Sequence, residues 1–145
     1  MSNGGIWMSN KSNGTAFEQE FAQLLFENGF WVHLMQDNRN GQPFDVIAAK
    51  DGKTYVFDCK DCQTGIFPFS RIEENQWSAM KLWAETGNIP GLFALNVQGL
   101  IYVVPCRVLE ILKENGNKSV NRIDIAKFGR RFATWLDSVE RQGKR

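Results

Sequence analysis

Phe44-Asp45-Val46-Ile47-Ala48-Ala49-Lys50 and Tyr55-Val56-Phe57-Asp58-Cys59-Lys60 are two apolar runs separated by the turn Asp51-Gly52-Lys53. Asp-Gly between such runs predicts a β-hairpin. Side chains alternate between the faces of a strand. Asp58 and Lys60 therefore share one face, and Phe57 and Cys59 the other. Asp45 stands at the start of the neighbouring strand. Two carboxylates and a lysine thus converge on an otherwise apolar sheet, which suits a hard divalent metal beside a polarised water. An isolated Asp-x-Lys is also the pattern of a surface ion pair, and the surrounding sequence has to decide between the two.

Upstream, Thr15 to Asn28 reads as a helix. Thr15 caps it, Glu18 completes a capping box, and Phe17, Phe21, Leu24 and Leu25 form its apolar stripe. Phe30 to Met35 reads as a strand and Asp37 to Gly41 as a polar, mobile turn. Downstream, Thr64-Gly65 breaks the chain, and Ser70 to Thr86 reads as a second helix with Ile72, Trp77, Met80 and Trp83 mostly on one side. Leu92 to Asn96 and Leu100 to Val104 form a strand pair around Gln98-Gly99. Pro105 to Lys113 starts a third helix. Asp124 to Val139 reads as one last helix on the repeat Ile125, Phe128, Phe132, Trp135, Val139. The predicted order is α-β-β-β-α-β-β-α-α, an α/β (α+β-like) chain with a mixed central sheet flanked by helices.

With 145 residues, 43% of them apolar, the chain predicts a single domain over residues 14–145. Residues 1–13, rich in Ser, Asn and Gly, read as a flexible N-terminus. No run approaches the roughly 20 apolar residues of a membrane span, and the N-terminus lacks the regions of a signal peptide. Three cysteines, an odd number, suit a reducing cytoplasm. Cys59-Lys60-Asp61-Cys62 is formally C-x-x-C. Cys59 falls inside a strand rather than at a helix start, and only Cys106 and His33 remain to complete a zinc site, so buried thiols are expected. The single histidine gives a histidine–serine hydrolase little support, and no Gly-rich phosphate loop is present. Net charge is +1, yet residues 107–145 hold ten Lys and Arg against five Asp and Glu. That basic half suits DNA phosphates, and suits a solvated surface equally.

Pro43-Phe44-Asp45 followed by Asp58-Cys59-Lys60 resembles the PD-(D/E)XK nuclease signature, with Phe44 as one extra residue after the proline. Gly14-Thr15-Ala16-Phe17-Glu18 resembles the opening of the first helix in the Holliday-junction resolvases of that superfamily. Phe67-Pro68-Phe69 followed by Ile72-Glu73-Glu74-Asn75-Gln76 resembles RecU-type resolvases, as does Lys113-Glu114-Asn115-Gly116-Asn117-Lys118-Ser119-Val120. The resemblance runs from about residue 12 to 125. RecU-type enzymes carry glutamate where this chain has Asp58, and a long stalk where it has only Gln36 to Gln42. In length it is closer to the compact archaeal resolvases.

The resemblance implies a restriction-endonuclease-like fold and a metal-dependent DNA endonuclease that resolves Holliday junctions in recombination or repair. The alternatives are a restriction-like or flap-processing nuclease, or an inactive DNA-binding module on the same fold. Mg²⁺ is the implied cofactor, with Mn²⁺ as its substitute. Asp45 and Asp58 read as direct ligands, because Mg²⁺ takes oxygen donors and keeps several waters. The resemblance adds the backbone carbonyl of Cys59 and, from the first helix, Glu18. Lys60 is expected to orient the attacking water or neutralise the phosphorane, and Gln76 to bond that water or position Lys60. Arg39, Lys118, Arg122, Lys127, Arg130 and Arg131 are candidate phosphate contacts, the last three on one side of the final helix. Trp77, Trp83, Phe128, Phe132 and Trp135 exceed the expected needs of one small core. A homodimer acting on four-way junctions is therefore expected, with no membrane association.

Overall fold

The computed structural model describes residues 16–35 and 43–143. The expected flexible stretch 1–13, the Thr15 cap, the turn 37–41 and Arg39 lie outside the described residues. Helix α1 (Ala16–Glu27) buries Phe17, Phe21 and Leu25, spaced one helical turn apart, together with Ala22. Strands β1 (Trp31–Leu34), β2 (Val46–Lys50) and β3 (Lys53–Cys62) follow as an antiparallel meander. The β2–β3 turn consists of Asp51 and Gly52 alone, both at positive φ (54° and 78°), as a two-residue hairpin turn requires.

Strand β4 (Ile66–Pro68) and a 3₁₀ turn (Phe69–Arg71) lead into helix α2 (Glu74–Glu85). The second helix is thus shorter than expected, because the backbone at Ile72 is extended. Strands β5 (Leu92–Val97) and β6 (Leu100–Pro105) form the second expected hairpin, and α3 (Cys106–Glu114) the third expected helix. Strand β7 (Ser119–Asn121) pairs with β4 in a small separate sheet.

The expected single last helix is three elements: α4 (Arg122–Phe128), β8 (Arg130–Arg131) and α5 (Phe132–Gly143). Its apolar repeat continues across the break, but the backbone is extended at Gly129 (φ −103°, ψ −170°). A Cβ there would lie 2.7 Å from Val104 Cγ2 and 2.9 Å from the Ile125 carbonyl oxygen. The chain passes β6 too closely for any side chain, and Arg130 and Arg131 then pair with β6 as an edge strand. Lys127, Arg130 and Arg131 therefore do not share one side of a helix: Lys127 ends α4, and the two arginines form β8. Gly129→Ala is expected to cost about 1–3 kcal/mol by overpacking, measured as a lower urea midpoint at unchanged slope.

The main sheet runs β1-β2-β3-β5-β6-β8, and among the described residues β3–β5 is its one parallel pair. Phe57, Cys59, Leu92, Ala94 and Val103 face α1 and α5. Val56, Cys62, Phe93, Leu95, Val97 and Val104 face the side holding α2, α3 and α4. Both faces are covered, so β5 reads as a continuous apolar run. Phe132 and Trp135 lie in the first of these cores, and Trp77 and Trp83 pack partly against the second. Of the five aromatics expected to seek a second copy, only Phe128 is substantially exposed, at 41%.

Candidate active site

Strand β3 brings the chemistry together. Its even-numbered residues face the second core, and Asp58 and Lys60 interrupt the apolar stripe between Val56 and Cys62. Asp58 is fully buried, opposite Phe93 of β5. This excludes the surface ion pair that Asp-x-Lys alone allowed.

Asp45, 5% exposed, extends the ladder just before β2. Its N–H donates to the Phe57 carbonyl at 2.9 Å, and its carbonyl accepts from the Met35 N–H at 2.8 Å. Its Oδ2 accepts from the Cys59 N–H at 2.7 Å. Asp45 is thereby held on β3 by one backbone bond to Phe57 and one side-chain bond from the Cys59 N–H. Cys59 enters the site through its backbone, while its side chain packs in the core on the other face.

Among the described residues neither oxygen of Asp58 has a hydrogen-bond partner at ordinary distance, and its close polar neighbours are the Asp45 carboxylate and the Lys60 ammonium. Lys60 Nζ stands 3.6 Å from Asp58 Oδ2, an ion pair too long for a hydrogen bond. Burial, reinforced by the Asp45 carboxylate, pushes the Asp58 carboxyl up to about 9, against the opposing pull of Lys60. Two buried carboxylates side by side, one with both oxygens unsatisfied, form a donor set that fits a hard cation.

Glu18 is half-buried in the first turn of α1. Its charge, after burial and the charges of Asp45 and Asp58, helps push the Cys59 thiol up. Among the described residues no three His, Cys, Asp or Glu side chains form a ready metal cluster. The strong carboxylate pair is Asp45 and Asp58, and Glu18 acts on the same thiol more weakly than either.

Gln76, 8% exposed, occupies the first turn of α2. Its Oε1 accepts from the Glu73 N–H at 3.0 Å and from Lys60 Nζ at 3.5 Å. One oxygen thus caps the helix and holds the lysine. The sequence signal for this arrangement is the Glu-x-x-Gln spacing of a capping box. Arg71 went unnoticed in the sequence. It donates to the Asp61 carbonyl at 2.8 Å and lies over the Phe67 ring, tying the end of β3 to the turn before α2. The basic candidates are dispersed. Lys118 and Arg122 flank β7, Lys127 lies over Phe128, and Arg131 lies over Tyr102 at the far edge of the sheet.

The model of the family described as Recombination protein U, RecU, matches residues 39–136. The chain belongs to the RecU family. It is a DNA endonuclease of the Holliday-junction-resolvase kind, acting in recombination. Resolvases of this kind are metal-dependent nucleases that bind DNA junctions. The fold is also that of Hjc, a Holliday junction resolvase from the archaeal hyperthermophile Archaeoglobus fulgidus. The TM-score is 0.65 at 16% identity, over 85% of this chain and 99% of that one. No curated protein matches the chain. Among the described residues no helix is long and apolar enough to cross a membrane.

Proposed function

We propose that this RecU-family chain cuts four-way DNA junctions with Mg²⁺ held by Asp45 and Asp58, supported by the Cys59 carbonyl and by Glu18. The observation that carries this reading is the buried Asp45–Asp58 pair, with both Asp58 oxygens unsatisfied and Lys60 3.6 Å away. When bound, the ion supplies Lewis-acid polarisation of the phosphate and charge neutralisation. Backbone bonds to Met35 and Phe57 fix the Asp45 main chain, and the Cys59 N–H holds its carboxylate in place for loading. Lys60 sets a positive charge at the mouth of the dicarboxylate, where the pentavalent phosphorus gathers negative charge. Gln76 holds Lys60 from the far side and leaves its amide nitrogen to orient the attacking water. Arg39, Lys118, Arg122, Lys127, Arg130 and Arg131 supply phosphate contacts along the DNA arms.

A junction has approximate two-fold symmetry and needs two matched nicks, whereas one chain holds one site. We therefore propose a C₂ homodimer of a single domain spanning residues 14–145, the dimer being the commonest closed assembly. Cytoplasmic residence fits three buried, free cysteines. Burial raises the Cys62 and Cys106 thiols to about 11 and about 12. Cys59 and Cys62 pack on opposite faces of the sheet, so this C-x-x-C neither closes a disulfide nor chelates.

The test compares a mobile four-way junction, a linear duplex and a single strand, each with Mg²⁺ and with chelator. Paired symmetric nicks in the junction alone, dependent on Mg²⁺ and made by a dimer in light scattering, are expected. Equal cutting of the duplex, or a monomer both free and on DNA, overturns the junction reading.

A further inference from the structure

We infer that Trp31 and His33 form a stacking site for an unpaired base of the DNA substrate, on the same sheet face as the catalytic aspartates. The inference rests on the nuclease reading above and adds a substrate-selecting site to it. Strand β1 is the edge of the main sheet. Val32 and Leu34 pack into the core beneath α1. Alternation turns Trp31 and His33 to the opposite face. Their cross-strand partners are Ala49 and Ile47. The next position on that face, Met35, bonds Asp45 itself. His33 is therefore one alternation from the Asp45 row and Trp31 two, about 7 Å and about 14 Å along the strand.

Trp31 is 63% exposed, the most exposed tryptophan among the described residues. His33 is also exposed, and the two rings lie 6.3 Å apart at 14°. This near-parallel aromatic pair has an open outer face and buries little of itself in the chain. It contributes little to the core, and its exposed ring area is unfavourable in water. A nucleobase covers such a ring, and base–aromatic stacking strengthens binding substantially without demanding a given sequence. Open sheet faces carrying aromatics read unpaired bases in this way. Base pairs inside a continuous duplex hide both their faces, whereas a branch point exposes them. A base held one or two nucleotides from the site would select branched DNA on shape, independently of phosphate charge.

The experiment uses the full chain in chelator, so that binding is read without cleavage. Its probes are a four-way junction with 2-aminopurine at the branch and a linear duplex of equal length. Trp31→Ala is expected to weaken junction binding about tenfold or more and to abolish quenching of the branch fluorophore. Duplex affinity and melting temperature should stay unchanged, because the ring is exposed. Trp31→Phe should restore most of both junction signals. Unchanged junction affinity with quenching retained overturns the inference, as does equal loss on junction and duplex. Conversion of a wild-type dimer into monomers by Trp31→Ala, with quenching intact, overturns it by making this edge a contact between copies. Branch quenching by a wild-type protein that cleaves nothing with Mg²⁺ would sink the nuclease reading and support the stacking site.

Discussion

Asp58→Asn is expected to bind a four-way junction as well as the wild type does and to leave it uncut. In the proposed reading the substitution removes the charge of one of the two carboxylates that hold the metal. Cleavage with Mg²⁺ should fall about 10³-fold or more, roughly 4 kcal/mol of transition-state stabilisation, and Asp45→Asn should behave alike. Full Mg²⁺-dependent cleavage by either variant rules out the site. The same change should stabilise the metal-free fold. The Asp58 carboxyl stands at about 9 in the folded chain against an ordinary 3.8. Its stabilising contribution is therefore fully present below pH 3.8 and is lost as pH rises through about 9. At neutral pH the metal-free protein carries part of that cost, and an amide carries no charge to bury. A gain on the order of 1–3 kcal/mol is expected, seen as a melting temperature raised by about 2–4 °C per kcal/mol. The Asp58→Asn variant should also lose less stability than the wild type as pH rises from about 5 to about 9. A variant that melts lower than wild type in chelator contradicts the reading of Asp58 as a carboxyl whose burial costs stability.

Lys60→Ala should lower turnover by about 10²–10³-fold with metal affinity little changed, since the ammonium acts on the transition state and is not a ligand. Calorimetric titration of Mg²⁺ and single-turnover cleavage separate the two effects. A weakened metal site with intact turnover would reverse the roles assigned to Asp58 and Lys60. Gln76→Ala should follow Lys60→Ala at smaller amplitude. It releases the lysine and also removes a helix cap, which costs about 1 kcal/mol of stability.

Much of this was legible because the decisive signals are local. Asp51-Gly52 and Gln98-Gly99 announce their hairpins through backbone angles that few other pairs adopt. The Asp58/Lys60 face follows from alternation alone. The break at Gly129 was hidden, because the apolar repeat through Phe128 and Phe132 keeps helical spacing across it. Only the approach to Val104, over twenty residues earlier, forces the extended backbone. The β4–β7 pair was hidden for a related reason: each strand has three residues and exists only through a partner distant in sequence. The burial of Asp58 was equally invisible, since β5 and α2 supply it. The role proposed for it comes from resemblance, whereas its raised carboxyl follows only from its burial. Trp31 and His33 fall in the predicted strand Phe30 to Met35, and only the pairing with β2 shows which face they take.

The single parallel pairing also sets the order in which this molecule acquires its activity. Asp58 pairs with Phe93, 35 residues further along the chain, and the hairpin that presents the two aspartates is complete long before that partner is made. At translation rates of about 5–20 residues per second, several seconds separate the two events. During that interval Asp58 lacks the strand that later lies beside it. The burial of Asp58 therefore waits on the crossover through α2, and its final surroundings exist only once the second half of the chain has been made.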